Sequence, residues 1–186
     1  MSTQDFLKRI KDEDIEYVDI RFTDPRGKLQ HVTVVNDLVD EDFLEEGFMF
    51  DGSSIAGWKS IEASDMKLMP DLSSAYVDPF YAEKTICVHC SVVEPDTNEP
   101  YDRDPRGTAE KAEAYLKSSG IGDVAYMGPE AEFFLFDDVR FSNTINKVSY
   151  EVDASDASWN SDPEYEMGNM GHRPGLKGGY FPVNPT

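Results

Sequence analysis

Residues 15–35 alternate in hydropathy on both sides of a tight turn, and little besides a β-hairpin accommodates that pattern. Val18, Ile20 and Phe22 fall on one side of the first run, with Tyr17, Asp19 and Arg21 on the other, because successive strand side chains point to opposite faces. Asp24-Pro25-Arg26-Gly27 is the turn signal, and residues 29–35 return as the second strand. Ahead of the hairpin the spacing predicts a short helix, with Ser2 or Thr3 as its cap and Phe6, Leu7 and Ile10 as its apolar face. After it comes a short acidic helix over 40–46, stopped by Gly47, and a further strand over 84–94. Residues 48–66 follow no period. They hold Gly52, Ser53, Ser54, Gly57 and Ser60 around Phe50 and Trp58, and they read as one long loop of the kind that is often functional. Hairpin, helices and more strands within about a hundred residues make a small α+β unit.

Past Asp102-Arg103-Asp104-Pro105-Arg106 the character changes. Residues 107–119 read as a helix with Ala109, Ala112, Tyr115 and Leu116 on one side and Gly120 at its end. A strand is predicted over 123–136, interrupted by Gly128-Pro129, and another over 147–152. The tail from 153 to 186 is rich in Gly, Pro, Asn and Ser. Hydrophobic residues make up 39% of the 186, enough for a packed core. The net charge of −20 repels nucleic acid and anionic lipid. No apolar run is long enough to span a membrane and no signal peptide opens the chain, so a cytoplasmic location is expected. The two cysteines, Cys87 and Cys90, lie on the strand over 84–94, where residues three apart face opposite sides. Two buried free thiols are therefore expected, in keeping with a reducing compartment.

Two stretches carry candidate chemistry. In Gly128-Pro129-Glu130-Ala131-Glu132-Phe133-Phe134-Leu135-Phe136 a strand would place Glu130, Glu132, Phe134 and Phe136 on one face, with the two glutamates about 6.6 Å apart at Cα. Burying two like charges side by side is costly unless a cation neutralises them, and carboxylates are what Mg²⁺ and Mn²⁺ prefer. A solvated strand end or arginine partners would serve equally, so the spacing alone leaves the choice open. The second stretch runs from Phe50-Asp51-Gly52-Ser53-Ser54 through Trp58 to Ala63-Ser64-Asp65. Asp51 is suited to act as a base or to attract a cation, or simply to cap its own turn. Trp58, on a mobile loop, is suited to cover a site in another subunit. Gly27-Lys28 and Lys177-Gly178-Gly179 lack the Ser or Thr of a phosphate loop, His31, His89 and His172 are far apart, and no G-x-S-x-G elbow occurs.

Taken in register, these stretches resemble glutamine synthetases. Phe50-Asp51-Gly52-Ser53-Ser54 with Ala63-Ser64-Asp65 and Leu68 is similar to the family's N-terminal signature. Gly128-Pro129-Glu130-Ala131-Glu132-Phe133-Phe134 is similar to the strand opening its catalytic domain. Tyr101 to Arg106, Gly171-His172-Arg173-Pro174 and Lys177-Gly178-Gly179-Tyr180-Phe181-Pro182 resemble the bacterial type I form. The resemblance implies an α+β fold: a β-grasp domain over 1–103, then the beginning of a catalytic domain over 104–186, a curved antiparallel sheet with helices. It implies ATP-dependent joining of ammonium to L-glutamate through γ-glutamyl phosphate, with Mg²⁺ or Mn²⁺ in a two-metal site. Glu130 and Glu132 would ligate different metals, Asp51 would reach a neighbouring subunit's site, and Asp65, Trp58 and Tyr180 would bind substrate. Family members form homo-oligomers, dodecamers of two hexameric rings. The remaining ligands would lie past Thr186, and Asn184 stands where the family usually has Pro. The expectation is a partial copy without activity alone; the alternative is a non-catalytic module lending Asp51 to a neighbour.

Overall fold

The computed structural model describes residues 1–154 together with Ala157 and Trp159. The chain forms two compact units, Met1–Tyr126 and Met127–Thr186. In the first unit, helix α1 (Thr3–Asp12) begins at Ser2, whose hydroxyl accepts from the Asp5 N–H while the Asp5 carboxylate accepts from Ser2 in return, a reciprocal capping box. Strands β1 (Tyr17–Thr23) and β2 (Leu29–Val35) pair antiparallel as the alternation predicts. Helix α2 (Glu41–Glu46) is capped by Asp40 and ends at Gly47, whose φ of +83° is costly for any residue with a Cβ.

Strands β3 (Phe48–Asp51), β4 (Asp65–Val77) and β5 (Thr85–Val93) complete a sheet in the order β2-β1-β5-β4-β3. β5 runs parallel to β1, and the other pairings are antiparallel. Val18, Ile20 and Phe22 of β1 form the core with Ile86, Val88 and Val92 of β5, Met66 and Leu68 of β4, Phe6 and Ile10 of α1, and Leu44 of α2. Both cysteines are free and buried, as expected. Burial pushes the Cys87 thiol up to about 11 and raises that of Cys90 as well, so neither is a ready thiolate.

The structure corrects the reading of residues 48–66 as one long loop. β3 and the start of β4 flank it, and the irregular part is 52–64. β4 escapes a period-two reading because Pro70, Asp71, Ser73 and Ser74 break its pattern and its register with β5 shifts between Asp71 and Tyr76.

Helix α3 (Pro105–Ser119) starts on the Asp104 cap and ends at Gly120 in the left-handed region, φ +70°. Its predicted apolar side is mostly open: Ala109, Ala112 and Tyr115 are exposed, Leu116 is half-buried beside Gly122, and Gly107 is the helix's buried position. Polar contacts hold the helix to the sheet instead, Arg106 reaching both Ser91 and Asp71. In the second unit β6 (Asp138–Thr144) and β7 (Lys147–Asp153) form a two-stranded ribbon. No helix among the described residues is long and apolar enough to cross a membrane.

Candidate functional site

Asp51 closes β3, directly opposite Asp65 at the start of β4, one register step beyond the Phe50–Met66 pair. Both aspartates are exposed. Opposed residues on a ladder hold their Cβ atoms about 5 Å apart, and like charges so placed repel. The loop end of the β3–β4 pair therefore favours a cation. Asp51 is locally oriented: its Oδ1 accepts from the Ser53 N–H at 2.8 Å and the Ser53 hydroxyl at 2.6 Å. Those bonds, with a further one from the Ser64 side chain, hold its carboxyl below the usual range. The group is thus firmly anionic at neutral pH, better suited to attracting a cation than to accepting a proton from water.

The turn after Asp51 depends on a missing side chain. Gly52 is buried and its N–H donates to the Ser64 carbonyl at 2.7 Å, tying the two ends of the 52–64 segment. A Cβ here would lie 2.5 Å from Met66 Cγ, 2.7 Å from Met66 Sδ and 3.1 Å from the Ser64 carbonyl oxygen. Met66 is itself fully buried and has little room to retreat. Gly52→Ala is expected to cost about 1–3 kcal/mol, read as a lower urea midpoint with an unchanged slope. A midpoint equal to that of the wild type would show that Met66 repacks freely.

Trp58 does not sit on an open, mobile tip. Its side chain is buried, with ring centroids 5.5 Å from Phe22, 5.9 Å from Phe50 and 5.6 Å from Tyr101. An indole this large gains more by covering the core edge than by standing in water, so the 52–64 segment is pinned at its middle. The sequence misses the residues that meet it there, Lys59, Glu94 and Arg103. Glu94 lies 35 positions from Lys59, and Arg103 lies 46 from Gly57, so no local spacing announces these contacts. A cleft of about 540 Å³ lies beside this segment, with Lys59, Glu62, Asp65, Glu94 and Asp96 among its walls.

Glu130 and Glu132 depart from expectation. Residues 123–136 contain no regular strand, and both glutamates are exposed. An extended segment becomes a strand when a neighbour pairs with its backbone, and among the described residues no strand does so. Phe133, Phe134 and Leu135 beside them are exposed too, with the Phe134 and Phe136 rings stacked at 6.1 Å. Among the described residues no three His, Cys, Asp or Glu side chains gather where a metal could be held. A divalent cation asks for about six oxygen ligands, so the described residues do not amount to a metal centre. Tyr180, with Gly171-His172-Arg173-Pro174 and the residues around it, lies outside the described residues.

Two family models match in succession: the glutamine synthetase β-grasp domain over residues 14–95 and the glutamine synthetase catalytic domain over 102–186. The chain belongs to the glutamine synthetase family. It is 77% identical over 181 residues to a glutamine synthetase of Cereibacter sphaeroides, covering 97% of this chain and 39% of that protein. It is 75% identical over 180 residues to one of Rhodobacter capsulatus, covering 97% of this chain and 41% of the relative. A glutamine synthetase from Plasmodium falciparum, solved by cryo-electron microscopy, superposes with a TM-score of 0.70 at 22% identity, over all of this chain and 37% of that one. The α+β fold with an N-terminal β-grasp domain and the start of a glutamine synthetase catalytic domain therefore stands. The chain spans about 39% of the length of the curated relatives it matches.

Proposed function

We propose that these residues serve as the N-terminal part of a cytoplasmic glutamine synthetase, with the β-grasp region ending near residue 103 and the catalytic region beginning at 104. In the proposed reaction a γ-carboxylate oxygen of L-glutamate attacks the γ-phosphorus of ATP and ADP leaves. Ammonium then gives a proton to a carboxylate or to water, and ammonia attacks the acyl carbon, losing a second proton to solvent as phosphate leaves. The observation that carries the reading for this chain's own residues is the Asp51–Asp65 opposition where β3 ends and β4 begins. Two exposed carboxylates across one ladder, one of them held below its usual pKa range, suit the capture of a small cation such as ammonium. Asp51 would serve the site of an adjacent subunit in a homo-oligomer, a dodecamer of two hexameric rings.

Glu130 and Glu132 are proposed as partial ligands for Mg²⁺ or Mn²⁺, needing partners that the described residues do not supply. Trp58, buried as it is, would act by holding the loop that ends in Asp65. Tyr180 is proposed near the metals.

The test is a graft. Residues 1–186 replace the matching segment of the Cereibacter sphaeroides relative, and glutamine formation is assayed. The grafted enzyme is expected to be active. Asp51→Asn in it is expected to lower kcat/KM for ammonium about a hundredfold with little change in KM for ATP. Ammonium kinetics unaltered by that substitution would remove Asp51 from the proposed role.

A further inference from the structure

The irregular 52–64 segment is fastened at its middle by a different stretch of chain. Arg103 Nη1 donates to the Gly57 carbonyl, and to the Trp58 carbonyl at 3.2 Å. Lys59 Nζ donates to both carboxylate oxygens of Glu94, at 2.8 and 2.7 Å, and lies 5.2 Å from the centre of the Tyr101 ring. Tyr101 in turn meets the Trp58 indole edge-on. Three consecutive residues of the loop, 57, 58 and 59, are thus gripped from the stretch between residues 94 and 103.

That stretch is itself rigidly mounted. Its two ends are joined by the Glu94 N–H donating to the Glu99 carbonyl and the Tyr101 N–H donating to the Val92 carbonyl, both at 2.9 Å. Asp104, almost fully buried, accepts from the Val92 N–H at 2.9 Å through one oxygen and caps α3 through the other. The last turn of β5, the start of α3 and the grip on the loop are therefore one hydrogen-bonded assembly. The two family matches meet across this stretch, one ending at 95 and the other beginning at 102.

We infer that Arg103 is a positioning residue: it transmits the setting of the segment between the β-grasp and catalytic regions to the loop that joins Asp51 to Asp65. Both ends of the loop are tied at Gly52 and Ser64, its middle is held from outside by Arg103 and by the Lys59–Glu94 pair, and within the loop the Trp58 N–H donates to the Ile55 carbonyl at 3.1 Å. A shift of α3 relative to β5 therefore reaches the Asp51–Asp65 pair through Arg103. The transmission itself is independent of what Asp51 does. Its catalytic consequence rests on the proposed ammonium role.

The experiment has two arms, both in the grafted synthetase. In the first, amide hydrogen exchange is followed over residues 52–64. Arg103→Ala is expected to speed exchange at residues 57–60 about tenfold, while the amides of β1 and β5 keep their protection. Arg103→Lys, which retains one donor head, is expected to recover part of it. Arg103 is exposed, so truncating it leaves no buried hole, and an unchanged melting midpoint checks folding. In the second arm, Arg103→Ala is expected to raise KM for ammonium about fivefold with kcat and KM for ATP nearly unaltered. Unchanged exchange at 57–60 overturns the inference. Faster exchange with unchanged ammonium KM keeps the mechanical link and overturns its catalytic consequence. If Asp51→Asn also leaves ammonium kinetics unaltered, the fault lies with the Asp51 role and not with Arg103.

Discussion

Purified by itself and supplied with ATP, L-glutamate, ammonium and Mg²⁺, the 186-residue chain is expected to form no glutamine. The reason is the count of groups a phosphoryl transfer needs. Stabilising charge on a transferring phosphoryl group calls for several cationic groups aimed at its oxygens. Among the described residues Glu130 and Glu132 are the proposed metal carboxylates, no third ligand stands with them, and both are open to solvent. One carboxylate per ion leaves the remaining positions to water, and such binding is weak. The relatives it matches are about two and a half times as long, and the proposed partners of these glutamates would belong to the part not matched here. Isothermal titration with Mn²⁺ should show no saturation at micromolar ion, and Glu130→Ala should not change the trace. Glutamine above the no-protein control in a coupled phosphate assay would overturn the expectation. The apolar face of residues 133–136, left open with Phe141 and Tyr150 of the ribbon, adds that the isolated chain should self-associate as its concentration rises.

How much of this could be seen beforehand depends on whether a segment's partners are near it in the chain. The β1–β2 hairpin was legible because alternation and turn residues lie within twenty positions of one another, and α1, α2 and α3 because their caps are adjacent to them. β4 was not legible: a proline, a bulge and several serines break its period, and it is strand only because β3 and β5 flank it. β6 went unread for a similar reason, since its alternation of polar residues has no buried face to mark it. The strand drawn through Glu130 and Glu132 failed in the opposite sense. Its sequence has the right periodicity, but among the described residues no neighbour takes up its backbone. Of the candidate site, Asp51 and Asp65 were legible as motif residues, whereas their opposition across a ladder follows only from the register of β3 with β4. Gly and Ser around Trp58 announce a loop and say nothing of where its side chain is buried. Asp19 falls on the side of β1 opposite Val18, Ile20 and Phe22, and alternation alone does not say whether that side is covered. Asp19 is fully buried there, because Arg21 two positions on and His31 and Thr33 from the neighbouring strand close over it.

That buried carboxylate sets the second large expectation. Asp19 accepts from the Thr33 hydroxyl, the Arg21 Nε and the His31 Nδ1, each at 2.7 Å. Arg21 continues the network to Asp78 at 2.9 Å and to the Tyr76 hydroxyl, with Cys87 Sγ between the two aspartates. Burial pushes the Asp19 carboxyl up, but the bonds from Thr33, Arg21 and His31 outweigh it and leave the group below its usual range. Asp19→Ala removes the acceptor and strands a guanidinium whose side chain is 13% exposed. Breaking one half of such a buried pair costs about 3–5 kcal/mol. The surviving Asp78 contact puts the expected value near the lower end, about a hundredfold or more in the folding constant. The sign with pH follows from the depressed carboxyl. Its stabilisation is fully present above the unfolded value, near pH 4, and is lost as pH falls through the folded value. Wild-type stability should therefore drop below about pH 4 more steeply than that of Asp19→Asn, which has no proton to gain there; Asp78 and Asp71, also depressed, add the same slope to both proteins. Urea titrations of a Trp159→Phe background, with buried Trp58 as the reporter of the first unit, would measure each curve. Parallel pH profiles for wild type and Asp19→Asn, or a loss under about 1 kcal/mol for Asp19→Ala, would mean that Arg21, Thr33 and His31 find water as good a partner as the carboxylate.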